Sequence, residues 1–341
     1  MNQLTEVNVL TKKDFESGQD VRWCPGCGDY AVLSQIQKLL PTLGIPRENF
    51  AFISGIGCSS RFPYYMAAYG MHSIHGRAPA IASGLKISRP ELSVWVVTGD
   101  GDSLAIGGNH FIHAIRRNIG LKIILLNNRI YGLTKGQYSP TSELGKKTKT
   151  SPLGNIDRPF SPASLALGAG ATFVARTLDG DMKHMQQVLE RAAKHEGTAF
   201  VEVLQNCVVF NDGAFDYLND KAMRDDRRIM MEHGKALTFG KDGDKGIRLR
   251  GFRPEIVTIG SGGVTAADLM VHDETSDNGG GAFLLSQLAG PDMPVPFGVF
   301  RDVQQPAYEV LNRELAAETR AKKGAGTLQQ LFNSGDTWTI A

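Results

Sequence analysis

The feature that most constrains the fold of this sequence is a strand–turn–helix–strand segment between Val94 and Gln137. An apolar run, VWVVT, precedes the turn GDG at 99–101, and a helical stretch then extends to about Asn118. A second apolar run, KIILLN, ends in NN at 127–128. A strand–helix–strand connection of this length predicts two parallel strands. Their carboxyl ends would then meet at one edge of the sheet, where open α/β sheets bind ligands.

Apolar runs of similar length recur on both sides of this segment. They are AFIS at 51–54, ATFVAR at 171–176 and AFVEVL at 199–204, separated by helical stretches. Near-continuous apolar runs of this kind suit a parallel sheet that is covered on both faces. We therefore predict an α/β fold with a mostly parallel sheet and helices on both faces.

Three regions are predicted along the 341 residues. A polar N-terminal arm occupies 1–22, the α/β domain that would carry the site occupies 23–225, and an irregular C-terminal extension occupies 226–341. The extension contains glycine clusters and one helix candidate near 306–322. We expect it to pack on a partner subunit or on the core of the same chain. A long polar loop at 129–160 is expected to be a lid, a binding loop or a contact surface.

Composition excludes several classes of protein. With 37 basic and 35 acidic residues, the net charge of +2 gives no reason to expect nucleic-acid binding. No apolar run approaches the ~18 residues that a membrane span needs. Only 4 cysteines are present, which excludes a disulfide-dense secreted scaffold. The first residues lack the apolar core of a signal peptide, so a cytoplasmic location is the expectation.

Asp100 and Asn128 follow the two predicted parallel strands and should therefore lie close together. A carboxylate, an amide oxygen and nearby carbonyls form a hard oxygen set that suits Mg²⁺ with phosphate oxygens as further ligands. The helix that begins after Gly101 adds N–H donors for a phosphate. The alternatives are an ordinary glycine turn and a dinucleotide site. A dinucleotide site requires a third glycine at the position that Leu104 occupies.

The four cysteines each follow a predicted strand or lie in a tight turn. Cys24 and Cys27 form a Cys-Pro-Gly-Cys motif, Cys58 follows the AFIS run, and Cys207 follows the AFVEVL run. Four thiolates suit a [4Fe–4S] cluster or a structural zinc. Zinc ribbons usually contain two compact Cys-x-x-Cys pairs, whereas this chain has one. Unrelated buried or redox-active cysteines are the third alternative.

These motifs together resemble a known family. The GDG turn, followed after 25 residues by NN, resembles the diphosphate-binding motif of thiamine-diphosphate enzymes. With the four cysteines, the chain resembles the thiamine-binding β subunit of the 2-oxoacid:ferredoxin oxidoreductases. The segments that carry this resemblance are 23–28, 56–64, 72–86, 98–108, 125–137 and 205–211. Segments 271–274, 282–285 and 295–299 are similar to the two-subunit 2-oxoglutarate branch.

The resemblance implies a thiamine-diphosphate-binding fold with specific ligands. Asp100, the Asn128 side chain and the Ile130 carbonyl would bind Mg²⁺, and Cys24, Cys27, Cys58 and Cys207 would hold a [4Fe–4S] cluster. The implied cofactor pocket comprises Asp29, Ile56, Gly57, Cys58, Ser59, His75, Gly99, Asp100, Gly101, Asp102, Asn128, Ile130, Tyr131, Gly132 and Leu133.

Two further residues have implied roles with simpler alternatives. His75 would donate to a phosphate or to the substrate, and its alternative role is to cap or pack at a helix start. Arg61 would bind a substrate carboxylate, and its alternative is a solvated surface arginine. Lys146, Lys147 and Lys149 lie in the long loop, either as a solvated surface or as a docking site for an acidic ferredoxin or for coenzyme A phosphates.

The implied reaction is thiamine-dependent oxidative decarboxylation of a 2-oxoacid. The preferred substrate is 2-oxoglutarate, converted to succinyl-CoA and CO₂ with coenzyme A as co-substrate, and electrons would pass through the cluster to ferredoxin. The alternatives are pyruvate or a branched 2-oxoacid as substrate, and a non-catalytic iron–sulfur or zinc assembly subunit. In this family the glutamate that forms the thiamine ylid comes from another chain. We therefore expect an obligate α subunit, in an (αβ)₂ assembly.

Overall fold

The computed structural model describes residues 10–290 and 292–340. Its strands are β1 (Phe50–Ser54), β2 (Tyr69–His72), β3 (Ser93–Gly99), β4 (Leu121–Asn127), β5 (Phe173–Leu178), β6 (Ala199–Leu204), β7 (Arg228–Met230), β8 (Thr238–Phe239), β9 (Lys245–Arg250), β10 (Arg253–Thr258) and β11 (Val295–Asp302).

The α-helices lie between and after these strands. They are α1 (Asp29–Leu39), α2 (Ala78–Ser88), α3 (Asp100–Leu104), α4 (Gly108–Arg116), α5 (Pro162–Gly168), α6 (Met182–Lys194), α7 (Asp216–Asn219), α8 (Arg224–Arg227), α9 (Gly280–Ser286), α10 (Tyr308–Lys323) and α11 (Leu328–Phe332). Within the described residues, no helix is long and apolar enough to span a membrane.

The main sheet has eight strands in the order β2-β1-β3-β4-β6-β5-β11-β7. The first six strands in this order are mutually parallel, β11 runs antiparallel to β5, and β7 runs parallel to β11. The prediction of a mostly parallel sheet is confirmed. All five predicted strands are present, and β5 begins two residues later than expected. Strand β2 was not predicted because its residues are largely exposed and form no apolar run.

Helices cover both faces of the sheet, as predicted. On one face, α1 and α6 pack against Trp95 and Val97 of β3. On the other face, α2, α4, α5 and α9 contribute to a second core that includes Val94 and Val96. The alternating side chains of one buried strand thus fill both cores. Full burial of each such side chain contributes roughly 1.5–3 kcal/mol.

The helix after the GDG turn differs from the prediction. One continuous helix to about Asn118 was expected, but the structure has two, α3 and α4, with a break at 105–107. At the break, the Gly107 backbone lies so close to Gly76 that a Cβ on Gly76 would be 2.5 Å from Gly107 N. After α4, Asn118 adopts the left-handed conformation, with φ of 51°.

Residues after 225 contain more regular structure than their glycine clusters indicate. Strands β8 to β10 form a small antiparallel sheet, and the predicted helix near 306–322 is α10. The Asn118 side chain holds the chain before α10, because Nδ2 donates to the carbonyls of Gln305 at 3.0 Å and Pro306 at 3.2 Å. The division of the chain at about residue 225 stays a prediction, although β11 lies in the main sheet.

Candidate functional site

The predicted metal ligands lie at the carboxyl ends of two adjacent strands. Gly99 of β3 is paired with Leu126 of β4, so Asp100 and Asn128 leave the sheet side by side. Both residues line a cavity of about 110 Å³, which we call the Asp100 cavity. Its lining includes every residue predicted for the cofactor pocket, together with Leu126 and Thr134. The structure therefore brings the predicted pocket residues together, and their roles stay predictions.

The Asp100 carboxylate is buried and held by two hydroxyl groups. Ser139 Oγ and Thr141 Oγ1 both donate to Asp100 Oδ2, each at 2.5 Å. Burial raises the pKa of the Asp100 carboxyl, and the two donors oppose that shift. Both hydroxyls belong to the long loop after β4, which the sequence did not connect with Asp100. The only sequence signal for them was a serine- and threonine-rich loop.

The turn after β4 has a strained residue at its centre. Arg129 adopts a left-handed φ of 56°, which costs a non-glycine residue about 1 kcal/mol or more. Its guanidinium is held by Glu143 at 3.0 Å and lies 4.6 Å from the centre of the Phe215 ring. Within the turn, Ile130 N donates to Asn128 Oδ1 at 3.2 Å. These contacts fix the turn that places Asn128 and Ile130 on the Asp100 cavity.

The Asp102 carboxylate ties together three segments around the cavity. Oδ1 accepts hydrogen bonds from Ile56 N at 3.0 Å and Gly76 N at 2.8 Å, and it lies 2.5 Å from His75 Nδ1. Oδ2 accepts from Thr98 Oγ1 at 2.8 Å. With four partners, this buried carboxylate is suited to positioning the surrounding loops rather than to binding a ligand itself.

His75 is oriented by this carboxylate. Because Nδ1 contacts Asp102, Nε2 is the ring nitrogen left for a ligand in the cavity. The Tyr131 ring stands edge-on to the imidazole with ring centres 6.4 Å apart. The Tyr131 hydroxyl donates to the Gly101 carbonyl at 3.0 Å. A Cβ on Gly101 would be 2.2 Å from the Tyr131 ring, so only glycine fits there.

All four cysteines line a second cavity of about 210 Å³, which we call the cysteine cavity. Each is a free thiol, and Cys24 is exposed. Burial raises the pKa of the Cys58 thiol to about 12, and it raises the pKa of Cys27 as well. Cys58, Asn128, Gly132 and Leu133 line both cavities, which therefore adjoin.

Among the described residues, the cysteine sulfur atoms do not converge on a single metal position. A Cβ on Gly132 would lie 3.5 Å from Cys58 Sγ and 3.6 Å from Cys207 Sγ. Gln205 Nε2 donates to Cys27 Sγ at 3.3 Å. Across residues 10–290 and 292–340, no group of three or more His, Cys, Asp or Glu side chains is arranged to hold a single metal ion.

Asn211 connects the two cavities and was not predicted. Its Nδ2 donates to the Asn128 carbonyl at 2.9 Å, and its backbone N–H donates to the Cys207 carbonyl at 3.0 Å. Lys146 Nζ donates to Asn211 Oδ1, so this lysine is engaged within the chain. Lys147 and Lys149 are exposed.

Two buried carboxylates lie next to the Cys-Pro-Gly-Cys segment. Burial raises the pKa of Asp29 to about 7, and the charge of Asp179 adds to the shift. Among the described residues no group donates to Asp29 Oδ1. Asp179, at the end of β5, was not predicted. It lies so close to the chain that a Cβ on Gly28 would be 2.0 Å from Asp179 Oδ2.

Arg61 lies beside the cysteines rather than in the Asp100 cavity. It lines the cysteine cavity together with Arg22 and Lys135. Its guanidinium donates to the Arg22 carbonyl at 3.1 Å. Its assignment to a substrate carboxylate stays a prediction.

The fold and the arrangement of GDG and NN define a thiamine-diphosphate-binding domain of the α/β class. In agreement, residues 55–203 match the family described as "Thiamine pyrophosphate enzyme, C-terminal TPP binding domain". A solved 2-oxoglutarate:ferredoxin oxidoreductase from Magnetococcus marinus, with 2-oxoglutarate, coenzyme A and succinyl-CoA bound, is similar in structure. Its TM-score is 0.75 at 31% identity, over 97% of each chain.

Two curated relatives identify the enzyme family and the subunit that this chain resembles. The chain is 54% identical to 2-oxoglutarate oxidoreductase subunit KorB of Mycobacterium tuberculosis, over 96% of this chain and 88% of that protein. It is 47% identical to a 2-oxoacid:ferredoxin oxidoreductase subunit beta of Saccharolobus solfataricus, over 56% of this chain and 63% of that protein. The chain belongs to the β subunits of the 2-oxoacid:ferredoxin oxidoreductases, and several of its relatives are named for 2-oxoglutarate. It is thus a component of an enzyme complex.

Proposed function

We propose that the Asp100 cavity binds the diphosphate of thiamine diphosphate through Mg²⁺. Asp100, the Asn128 side chain and the Ile130 carbonyl are the proposed metal ligands, and their oxygen donors suit Mg²⁺. A cation would also compensate the buried Asp100 carboxylate. The unpartnered Asp29 Oδ1 gives the cavity a polar atom for a bound ligand. His75, with both ring nitrogens protonated and Nδ1–H facing Asp102, is the proposed donor through Nε2 to the phosphate or substrate.

We propose that the cysteine cavity holds a [4Fe–4S] cluster. The four thiols surround about 210 Å³ of space, which supports a polynuclear centre over a single zinc. Zinc would draw four sulfur atoms to about 2.3 Å from one point. The raised thiol pKa values of Cys27 and Cys58 also favour a cationic centre, because iron would offset the cost of burying thiolates. Gln205 would donate a hydrogen bond to a ligating sulfur.

The adjoining cavities are the observation that carries the proposed reaction. Bound thiamine diphosphate supplies the carbon nucleophile and electron sink that decarboxylate a 2-oxoacid, and a nearby cluster accepts the electrons. The chain itself would orient the diphosphate, with Cys58 and Gly132 in the lining of both cavities and His75 in the lining of the Asp100 cavity. We infer oxidative decarboxylation of 2-oxoglutarate to succinyl-CoA and CO₂, with electrons passing to ferredoxin. The names of the relatives support this substrate.

An α subunit is the proposed partner. The ylid-forming glutamate of this family belongs to another chain, and the relatives are named as subunits of larger enzymes. An (αβ)₂ assembly, with the region after residue 225 packed partly on α, is our working arrangement. Coenzyme A would enter as co-substrate, and exposed Lys147 and Lys149 are available to attract its phosphates or an acidic ferredoxin.

The decisive experiment is cofactor analysis of the purified α–β complex. We expect iron and acid-labile sulfide in equal amounts, together with thiamine diphosphate and Mg²⁺. Asp100→Ala should abolish Mg²⁺-dependent thiamine diphosphate binding while leaving the iron content unchanged. Cys58→Ser should lower the iron content. Stoichiometric zinc without sulfide would overturn the cluster assignment.

Substrate choice needs its own assay. Reduction of ferredoxin should depend on coenzyme A and should be fastest with 2-oxoglutarate in a panel that includes pyruvate and a branched 2-oxoacid. The β subunit assayed without α should be inactive, because it lacks the glutamate. Full activity of the lone chain would contradict the proposed requirement for α.

A further inference from the structure

A buried chain of polar side chains leads away from Asp100 across the sheet. Thr141 Oγ1 lies 2.9 Å from Asn127 Oδ1, in addition to its bond with Asp100. Asn127 Nδ2 donates to Glu202 Oε1 at 2.8 Å. Arg176 Nε donates to Glu202 Oε2 at 2.8 Å. All five residues are at least nine-tenths buried, and four of them (Thr141, Asn127, Glu202 and Arg176) also line a third cavity of about 580 Å³.

The Arg176 end of this series of hydrogen-bonded side chains is held in place by β11. The Arg176 guanidinium lies 5.2 Å from the centre of the Phe300 ring and donates to the Pro296 carbonyl at 3.4 Å. Both residues belong to β11. Glu202 and Arg176 neutralise each other, so the buried chain as a whole carries the single negative charge of Asp100. A cation at Asp100 would therefore balance the entire network.

Glu202 decides the orientation of the Asn127 amide. A carboxylate only accepts hydrogen bonds, so it requires the NH₂ group of Asn127. The amide oxygen is thereby directed to the backbone N–H of Arg129, which donates to it at 3.2 Å. This second bond closes the strained turn that carries Asn128. Without the carboxylate, the amide could rotate, and Arg129 N would lose its acceptor.

Thr141 transmits the same constraint to Asp100. Its hydroxyl has one hydrogen and two neighbouring acceptors, Asp100 Oδ2 at 2.5 Å and Asn127 Oδ1 at 2.9 Å. The two acceptors therefore compete for this hydrogen, and the charged Asp100 oxygen at the shorter distance is the stronger one. If the Asn127 amide rotated, its NH₂ group would take the place of the second acceptor and would donate to the Thr141 oxygen. Both proposed Mg²⁺ ligands are thus connected to one glutamate.

We propose that Glu202, held by Arg176, is a positioning residue for the Mg²⁺–diphosphate site. It acts through Asn127 on the turn of Asn128 and through Thr141 on the Asp100 carboxylate. This inference rests on the proposed function, because it assumes that Mg²⁺ and thiamine diphosphate bind in the Asp100 cavity. Changes to groups that are hydrogen-bonded directly to metal ligands typically weaken metal binding by about 10- to 100-fold, and Glu202 acts one hydrogen bond further out.

The test uses Glu202→Gln in the α–β complex after removal of thiamine diphosphate. Binding of thiamine diphosphate is measured by calorimetry at increasing Mg²⁺, and the thermal midpoint of the cofactor-free complex is measured separately. We expect the Mg²⁺ concentration for half-maximal binding to rise severalfold, up to about 10-fold. Iron content should stay unchanged, since the cysteine cavity does not include Glu202.

A matched control is Glu309→Gln. Glu309 is also buried, accepts a hydrogen bond from Gly120 N at 3.1 Å, and lies 3.9 Å from Lys86 Nζ. It lies beside the start of β4, away from the Asp100 cavity. We expect this variant to lower the thermal midpoint without changing the Mg²⁺ requirement. Equal Mg²⁺ requirements for Glu202→Gln and wild type would overturn the inference.

A second variant keeps the test valid if Glu202→Gln fails to fold. Thr141→Val preserves side-chain shape but removes the hydroxyl, so it should also raise the Mg²⁺ requirement. In the double variant, the two effects should combine to less than their product, because both changes interrupt one path. If the increase in Mg²⁺ requirement of the double variant equals the product of the two single increases, Glu202 and Thr141 do not act through one path. If wild type itself binds no thiamine diphosphate, the proposed function fails rather than this inference.

Discussion

His75 Nδ1 lies 2.5 Å from Asp102 Oδ1, so a single buried carboxylate fixes the imidazole that faces the Asp100 cavity. The same carboxylate accepts backbone N–H groups from the loops after β1 and β2 and the hydroxyl of Thr98. Loop position and imidazole orientation therefore depend on one side chain. Disturbing Asp102 should affect cofactor binding and stability together.

Asp102→Asn is expected to weaken the binding of thiamine diphosphate and to lower the stability of the complex. The amide oxygen can still accept at the Oδ1 position, but the NH₂ group would then face the Thr98 hydroxyl, which would lose its acceptor, and the negative charge beside His75 would be lost. We expect a loss of stability on the order of 3 kcal/mol and weaker binding of thiamine diphosphate. Thermal unfolding and calorimetry of the α–β complex measure the two effects. Thr98→Val removes one bond and should cost only about 1 kcal/mol. Wild-type behaviour of Asp102→Asn would refute this role.

Gly101→Ala should damage the site through a steric effect. An alanine Cβ would be 2.2 Å from the Tyr131 ring, so the ring must leave its position over the Gly101 carbonyl. Overpacking of this kind costs about 1–3 kcal/mol. We expect thiamine diphosphate affinity to fall at least 10-fold by calorimetry. Gly108→Ala is the matched control, because a Cβ there meets no atom within 4 Å. Similar losses in both variants would count against the steric explanation.

Asn211→Ala should affect both cavities at once. Its side chain bonds the Asn128 carbonyl, while its backbone closes the turn at Cys207. Because alanine keeps the backbone bond, we expect mainly a higher Mg²⁺ requirement for thiamine diphosphate binding, with a smaller increase in the loss of cluster absorbance in air as the turn loosens. Lys146→Ala should raise the Mg²⁺ requirement to a smaller extent, since the Lys146 side chain donates a hydrogen bond to Asn211. Lys147→Ala is the control and should match wild type. An effect on cluster absorbance alone would show that the bond to Asn128 is unimportant.

Lys122→Met should change the pH dependence of stability. Burial, reinforced by the charge of Lys86, lowers the pKa of Lys122 to about 8 in the folded chain. Because this pKa is below the ordinary value, the unfolded chain binds more protons between about pH 8 and 10.5. Wild-type stability therefore gains a contribution as pH rises through this window, on the order of 3 kcal/mol.

The variant lacks this contribution, so its stability relative to wild type should be highest at pH 7 and should decline towards pH 10. Denaturant unfolding at several pH values tests this. The absolute difference also includes the lost bond to the His195 carbonyl, so the informative quantity is its change with pH. A difference that is constant from pH 7 to 10 would contradict the buried, shifted lysine.

Arg61→Met tests the proposed contact with a substrate carboxylate. If Arg61 binds the distal carboxylate of 2-oxoglutarate, KM for this substrate should rise about 10-fold or more, while KM for pyruvate should change little. Arg22→Met is the control, because Arg22 lines the same cavity but pairs with Asp20 at 3.1 Å. Equal losses with both substrates would instead assign Arg61 to the structure of the cysteine cavity.

Sequence alone predicted the parts of the fold that local pattern specifies. Apolar runs located β1, β3, β4, β5 and β6, and the rule for parallel strands placed Asp100 beside Asn128. The cofactor pocket came from family motifs, whose glycines are explained by close contacts such as Gly101 with Tyr131.

The remaining features depend on contacts between residues that are distant in sequence. The break between α3 and α4 follows from the approach of Gly76 to Gly107, which no local pattern indicates. Likewise, Thr141 and Glu202 are separated from Asp100 by 41 or more residues, and only the folded sheet and loop connect them. Strand β2 lies at an exposed edge, where no hydrophobic pattern is required.

The position of β11 has a consequence for how the chain is made. Residues 295–302 supply the strand that covers β5, so a nascent chain that stops at residue 225 would leave β5 as an open edge. Open edges pair readily with strands of other chains. Folding of the main sheet must therefore finish late in synthesis, after residue 302 has left the ribosome. Shortened versions of the protein should retain at least that residue to remain monodisperse.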